Sequence, residues 1–213
     1  MSPSSPRRGA MLCGALTLSA CATGKDVSPP PLVDISQREC AAAPDLSQAT
    51  PLVFNAKKET PQSTAIDAST PCLKGPAGNS LYAVYLLPAS EEPYVIDVAS
   101  VPMGTTVLAP RAMLLGADGT LKRQFSGEAV THRGNAFSIL TRRHDDERYL
   151  VVASDAAGVG KSDTRISEST TVTTASTGMV TYQIHSGDEA KTTYNFAHNG
   201  KIVVSLTPLT PAK

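Results

Sequence analysis

From Thr50 onward the chain alternates short runs of β-branched and aromatic residues with turn residues. Nowhere does it carry the apolar 3.6-residue period that an amphipathic helix of three turns requires. Leu52–Phe54, Ser63–Ala68, Leu81–Leu87, Tyr94–Ala99, Thr105–Leu108, Met113–Leu115, Thr120–Phe125, Ala136–Arg142 and Arg148–Ser154 read as strands. Met179–His185, Thr192–Ala197 and Lys201–Thr207 complete the series, joined at Ser186-Gly187-Asp188 and Asn199-Gly200. Ala117-Asp118-Gly119 is a strong hairpin signal. Pro110 cannot donate to a ladder, so it belongs at an edge or a bulge. The pattern predicts an all-β protein with a single antiparallel β-sandwich, jelly-roll-like in its many short strands. Two stretches fit less well. Ser162–Thr177 holds ten Ser or Thr among sixteen residues and reads as an exposed edge strand or a mobile loop, with the loop, ending in a Thr-rich strand, the favoured reading; Ile35–Ala43 reads as a short helix carrying Cys40.

Composition narrows the function classes. The 213 residues hold 19 Lys+Arg against 19 Asp+Glu, with 41% hydrophobic and 18% charged residues. That is enough apolar material for a core and offers no basic excess for nucleic acid. Aromatics are 5% and Trp is absent, which weakens any stacking platform for bases or sugars.

At the N-terminus Arg7 and Arg8 precede Ala10–Ala20, eleven residues without a charge. At about 1.5 Å per residue this covers little more than half of a ~30 Å hydrocarbon core, so it suits a secretory leader rather than a spanning helix. Leu18-Ser19-Ala20-Cys21 resembles the bacterial lipobox. The resemblance implies that residues 1–20 are removed and that Cys21 becomes an acylated N-terminus, anchored to a membrane by several chains. Ala22, rather than Asp, follows the cysteine, which implies sorting to the outer membrane. Residues 21–49 then form a lipidated, Pro-rich tether with the short helix, and residues 50–213 the sandwich. Loss of Arg7 and Arg8 leaves 17 basic against 19 acidic residues.

With Cys13 discarded and Cys21 acylated, Cys40 and Cys72 remain, and an even pair in an exported chain favours a disulfide. No His lies near either, and no CxxC occurs, so no metal site is expected.

No catalytic site emerges. Asp155–Ser162 (DAAGVGKS) ends like a phosphate loop, but Asp155 stands where the first Gly is needed and no helix follows. Phe125-Ser126-Gly127 lacks the first Gly of a nucleophile elbow. His132, His144, His185 and His198 are scattered without metal spacing, and Asp145-Asp146-Glu147 reads as a solvated loop neutralised by Arg142, Arg143 and Arg148. Tyr82, Tyr85, Tyr94 and Arg111 are the pool from which a sugar site would be drawn, although packing in the core is their commoner use.

Thr64–Ser154, about ninety residues, carries a more specific order: Ala65-Ile66-Asp67, Ser69-Thr70-Pro71, Gly78-Asn79-Ser80-Leu81-Tyr82 and Tyr85-Leu86-Leu87-Pro88. Val98-Ala99-Ser100, Thr106-Val107-Leu108-Ala109-Pro110, Ala112-Met113-Leu114-Leu115 and Leu121-Lys122-Arg123-Gln124-Phe125 follow. This order resembles the maltose operon periplasmic protein family. The resemblance implies an exported β-rich protein associated with maltodextrin uptake and brings no enzymatic activity and no cofactor. The expected function is therefore a non-enzymatic, outer-membrane-anchored lipoprotein that binds or scaffolds envelope proteins or glycans. A direct carbohydrate-binding module and a hydrolase with an assembled triad are the alternatives.

Overall fold

The computed structural model describes residues 31–176 and 180–209. Strands dominate; among the described residues the helical turns are two short 3-10 pieces, Leu46–Gln48 and Gly127–Ala129. The expected helix at Ile35–Ala43 does not form. That segment makes a turn at Ser36–Gln37, closed by the Arg38 N–H on the Ile35 carbonyl, and then runs against the body, where Cys40 bonds to Cys72 and Ala41 bridges Leu73. The leader, the lipobox and Cys21 lie outside the described residues.

One sheet is built from β1 (Thr50–Pro51), β3 (Cys72–Leu73), β4 (Ser80–Leu86), β7 (Pro110–Leu115), β8 (Leu121–Phe125) and β11 (Tyr149–Ser154). Its order is β1-β4-β11-β7-β8, with β3 also on β4; all pairs are antiparallel except β1 with β4. Pro110 is the first residue of β7, which is how an interior strand tolerates it. The second sheet runs β2-β14-β5-β10-β9, from β2 (Thr60–Ile66), β5 (Tyr94–Val101), β9 (Thr131–Arg133), β10 (Ala136–Arg142) and β14 (Gly200–Pro208). It is antiparallel throughout.

The two sheets face each other across one core. Leu81, Tyr85, Ala112, Leu114, Leu150 and Val152 of the first meet Tyr94, Ile96, Val98, Ile139, Ile202, Val204 and Leu206 of the second. Each fully buried aliphatic side chain there contributes about 1.5–3 kcal/mol by leaving water. The all-β sandwich read from the sequence is thus the observed architecture.

The sheets differ on their outer faces. β5 alternates buried and half-buried residues along its whole length, as a sheet with one wet face should. β4, β7 and β11 are buried on nearly every residue. Their outer face carries a second apolar cluster of Leu73, Tyr82, Val84, Met113, Leu115, Val151 and Ala153, against which Leu46 and Ala49 pack. The chain N-terminal to the sandwich is held to the body by several devices, of which those at Asp45, Leu46 and Ala49 lie on this face. Asp45 donates its N–H to Tyr82 Oη at 3.0 Å, Ile35 sits in the main core, and Asn199 clips Pro31 and Val33. Gly119, at φ +80°, turns β7 into β8 where a Cβ would come within 3.2 Å of Leu46. Closing the 32-residue loop between Cys40 and Cys72 stabilises this arrangement by about 3.5 kcal/mol in the chain-entropy picture.

The remaining sheet departs from expectation. Ser162–Thr177 is not a loop: β12 (Ser162–Ser176) is one strand. Nor do two strands follow, because β13 (Thr181–Ala197) passes straight through Ser186-Gly187-Asp188. β6 (Thr106–Leu108) pairs in parallel with the last three residues of β13.

Candidate functional site

β12 and β13 pair in one unbroken antiparallel register from Ser162–Asn195 to Ser176–Thr181. At about 3.3 Å per residue the hairpin is ~50 Å long, and among the described residues its contacts with the sandwich lie at its base. There Phe137 is the anchor. Its ring centroid lies 5.4 Å from Tyr194, 5.1 Å from Phe196 and 5.0 Å from His132, all edge to face, and Arg165 sits 5.8 Å above it. Such pairs add roughly 0.5–1.5 kcal/mol each beyond burial. Beyond the base the arm is exposed: Ile166 and Val172 keep 58% and 49% of their surface in water.

The Asp155–Ser162 loop connects β11 to this arm and lines a cleft of about 300 Å³ with Ala109, Pro110, Val130 and Phe196. Its backbone is spent internally. Gly158 and Val159 donate to the Asp155 carbonyl, Ala157 to the Asp155 carboxylate and Gly160 to the Phe196 carbonyl. A phosphate cradle needs those N–H groups pointing outward, so the loop serves as a turn into β12. The cleft offers an apolar floor with Asp155 and Lys161 at its lining.

One serine and one histidine do meet. Ser154 Oγ lies 2.9 Å from His198 Nδ1, and the Asp34 charge acts on His198. Ser154 is fully buried, however, and its oxygen already accepts the Leu81 N–H at 3.0 Å. A nucleophile has to reach substrate; this hydroxyl instead fastens the β13–β14 corner to the first sheet. Burial pushes the His198 pKa down, with Asp34 opposing weakly, so the neutral ring is favoured.

The four residues of the sugar pool do not form one site. Tyr85 and Tyr94 are buried in the core, donating to Thr64 Oγ1 and to the Pro88 carbonyl. Phe54 stacks on Tyr94 at 4.9 Å, and burial pushes the Tyr94 phenol up to about 12. Tyr82 lies under the N-terminal segment on the opposite face, and Arg111 is buried beside Ser80, to which its Nη2 donates at 3.0 Å. Tyr82 and Tyr85 do line one cleft of about 270 Å³ with Asp45, Gln48 and Thr64, but both side chains are buried, and Tyr94 and Arg111 lie elsewhere.

The acidic triplet is where sequence reasoning missed most. Asp145 and Asp146 are exposed, but Glu147 is buried, against the expectation of a solvated loop. Arg123 on β8 grips both of its oxygens, Nε to Oε1 at 2.6 Å and Nη2 to Oε2 at 2.9 Å, and the His144 N–H adds a bond of 2.7 Å. The adjacent arginines gave no signal of this, because the partner comes from 24 residues away. Among the described residues no cluster of His, Cys, Asp and Glu is arranged to hold a metal ion.

No protein family, curated protein or solved structure matches the chain. Function must therefore be argued from these residues.

Proposed function

We propose that this chain is an outer-membrane-anchored lipoprotein whose sandwich faces the periplasm in a non-enzymatic binding or scaffolding role, accessory to maltodextrin uptake. The observation that carries this reading is Leu18-Ser19-Ala20-Cys21 behind a short basic and apolar leader. The Cys40–Cys72 disulfide supports it, since such bonds persist in oxidising compartments. So does the role found for Ser154, the serine that meets a histidine, which is a fastening within the fold. The Thr64–Ser154 resemblance supplies the link to maltodextrin uptake.

Nine residues, Ala22 to Pro30, separate Cys21 from Pro31, whose carbonyl accepts from Asn199. At most about 3.6 Å for each of the ten steps from Cys21 to Pro31, they let the sandwich stand no more than ~36 Å from its anchor. The domain would work close to the membrane surface, with the β12–β13 arm as its binding element. Treatment of expressing cells with globomycin, which blocks the lipoprotein signal peptidase, is the test. Accumulation of the uncleaved precursor is expected, and processing that continues normally under the drug rejects the anchor.

A further inference from the structure

Among the described residues β12 pairs only with β13, so from Thr164 to Thr174 its other edge offers its N–H and C=O groups to solvent. Natural edges of this length are usually blunted by Pro, bulges or lysines. β12 has no Pro, no Lys and no interruption in its register. An isolated two-stranded hairpin is also at best marginally stable in water, and this one lacks a buried apolar face along most of its length. The free edge is therefore built for another strand.

Its sequence says which one. Read from Ser169 outward in both directions, β12 nearly repeats itself: Ser167 answers Thr171, Ile166 answers Val172, and Thr164 answers Thr174. We propose that β12 pairs antiparallel with β12 of a second copy of this chain, about a two-fold axis through Ser169. In that register Ile166 stands opposite Val172 of the second copy, twice, bringing together two of the arm's exposed apolar residues. Arg165 meets Thr173 and Glu168 meets Thr170, so no like charges are opposed. A shift of two residues along either strand loses the Ile166–Val172 pairing, and a shift of one is forbidden because it mixes the two faces. The contact is isologous, so it closes at two copies. The product is a four-stranded ribbon over Thr164–Thr174, about 36 Å long, with one sandwich at each end. This rests on β12 and not on the lipid anchor.

The test uses the full chain with Ser169→Cys, isolated without reductant. Directly opposed strand residues have Cα atoms about 4.5–5.5 Å apart, within disulfide reach. A reducible dimer is expected, while Thr173→Cys, which faces Arg165 of the second copy, gives none. Sedimentation supplies the second arm. Ile166→Lys and Val172→Glu each weaken the dimer at least about tenfold, and the two combined in one chain restore it by opposing Lys to Glu across the axis. A wild-type chain that sediments as a monomer overturns the proposal. Equal cross-linking of both cysteine variants, or a double variant as weak as the singles, overturns it too. None of these outcomes bears on globomycin sensitivity, so the two readings fail separately.

Discussion

Glu147 illustrates how a single side chain can be structural while its neighbours in sequence are solvent-facing. Asp145 and Asp146 make only loose pairs, at 3.8 Å with Arg143 and 3.4 Å with Lys122, and exposed contacts of this kind contribute little. Glu147 is desolvated and held by both nitrogens of a fork, which ties the β10–β11 loop to β8. Glu147→Gln should lower stability by about 2–3 kcal/mol in urea unfolding. That is below the figure for a fully buried pair because Arg123 is partly solvated and can rehydrate. Asp97 presents the opposite case. It sits on the wet face of β5 with Oδ1 buried and without a hydrogen-bond partner, and burial pushes its carboxyl above the ordinary 3.8 despite the attraction of Arg133. A carboxyl raised in the folded state favours folding most below the unfolded value, and that contribution is lost as pH rises through the folded one. Asp97→Asn should therefore raise Tm at pH 7 in calorimetry, and its advantage should vanish as the pH is taken below about 3.8.

At the scale of elements, the strands divide by what covers them. β5 keeps its period of two because its outer face is wet, whereas β4, β7 and β11 are buried on both faces once the N-terminal segment lies across them. The arm belongs to neither class. Its polar strands have no core to fill, and they are located at the base by the β6–β13 ladder and by the ring contacts at Phe137. Tyr194→Ala should remove one of those contacts, together with the tilted contact of Tyr194 with His132 at 6.2 Å, without disturbing the sandwich. We expect a loss of about 1–2 kcal/mol at the arm's base. Amide exchange should then accelerate at Arg165 and Thr192 while the amides of Val98 and Val152 stay protected. Uniform acceleration would mean that the arm and sandwich unfold together and that the anchor is not local.

For the whole molecule, the disposition of the termini matters as much as the core. Pro31 is clipped by Asn199 at the corner between β13 and β14, two residues beyond the end of β13. The chain therefore comes in from its N-terminus beside the base of the arm. On the proposed anchor, a tether of at most ~36 Å and an arm of ~50 Å start from the same region. In the proposed setting the arm is longer than the distance the anchor allows, so its reach covers neighbours in the envelope, including a second copy. Cys40–Cys72 and Ile35 fix the segment that precedes the sandwich, so that a pull on it is transmitted to the core.

The class of the fold, most of its strands and the pairing of Cys40 with Cys72 were legible in the chain itself. Period-two patterns, turn residues and a count of cysteines are local properties, and local sterics act on them before any tertiary contact forms. The arm was only half legible: ten Ser or Thr in sixteen residues carry strand propensity without the apolar face that separates an edge strand from a loop, and Gly187 reads as a turn where the ladder runs on. The course of Ile35–Ala43, the burial of Glu147, the contact of Ser154 with His198 and the packing of Tyr82 were decided by tertiary structure alone. Each depends on a partner far away along the chain, brought close only when the sheets close on their core, and no local pattern encodes that distance.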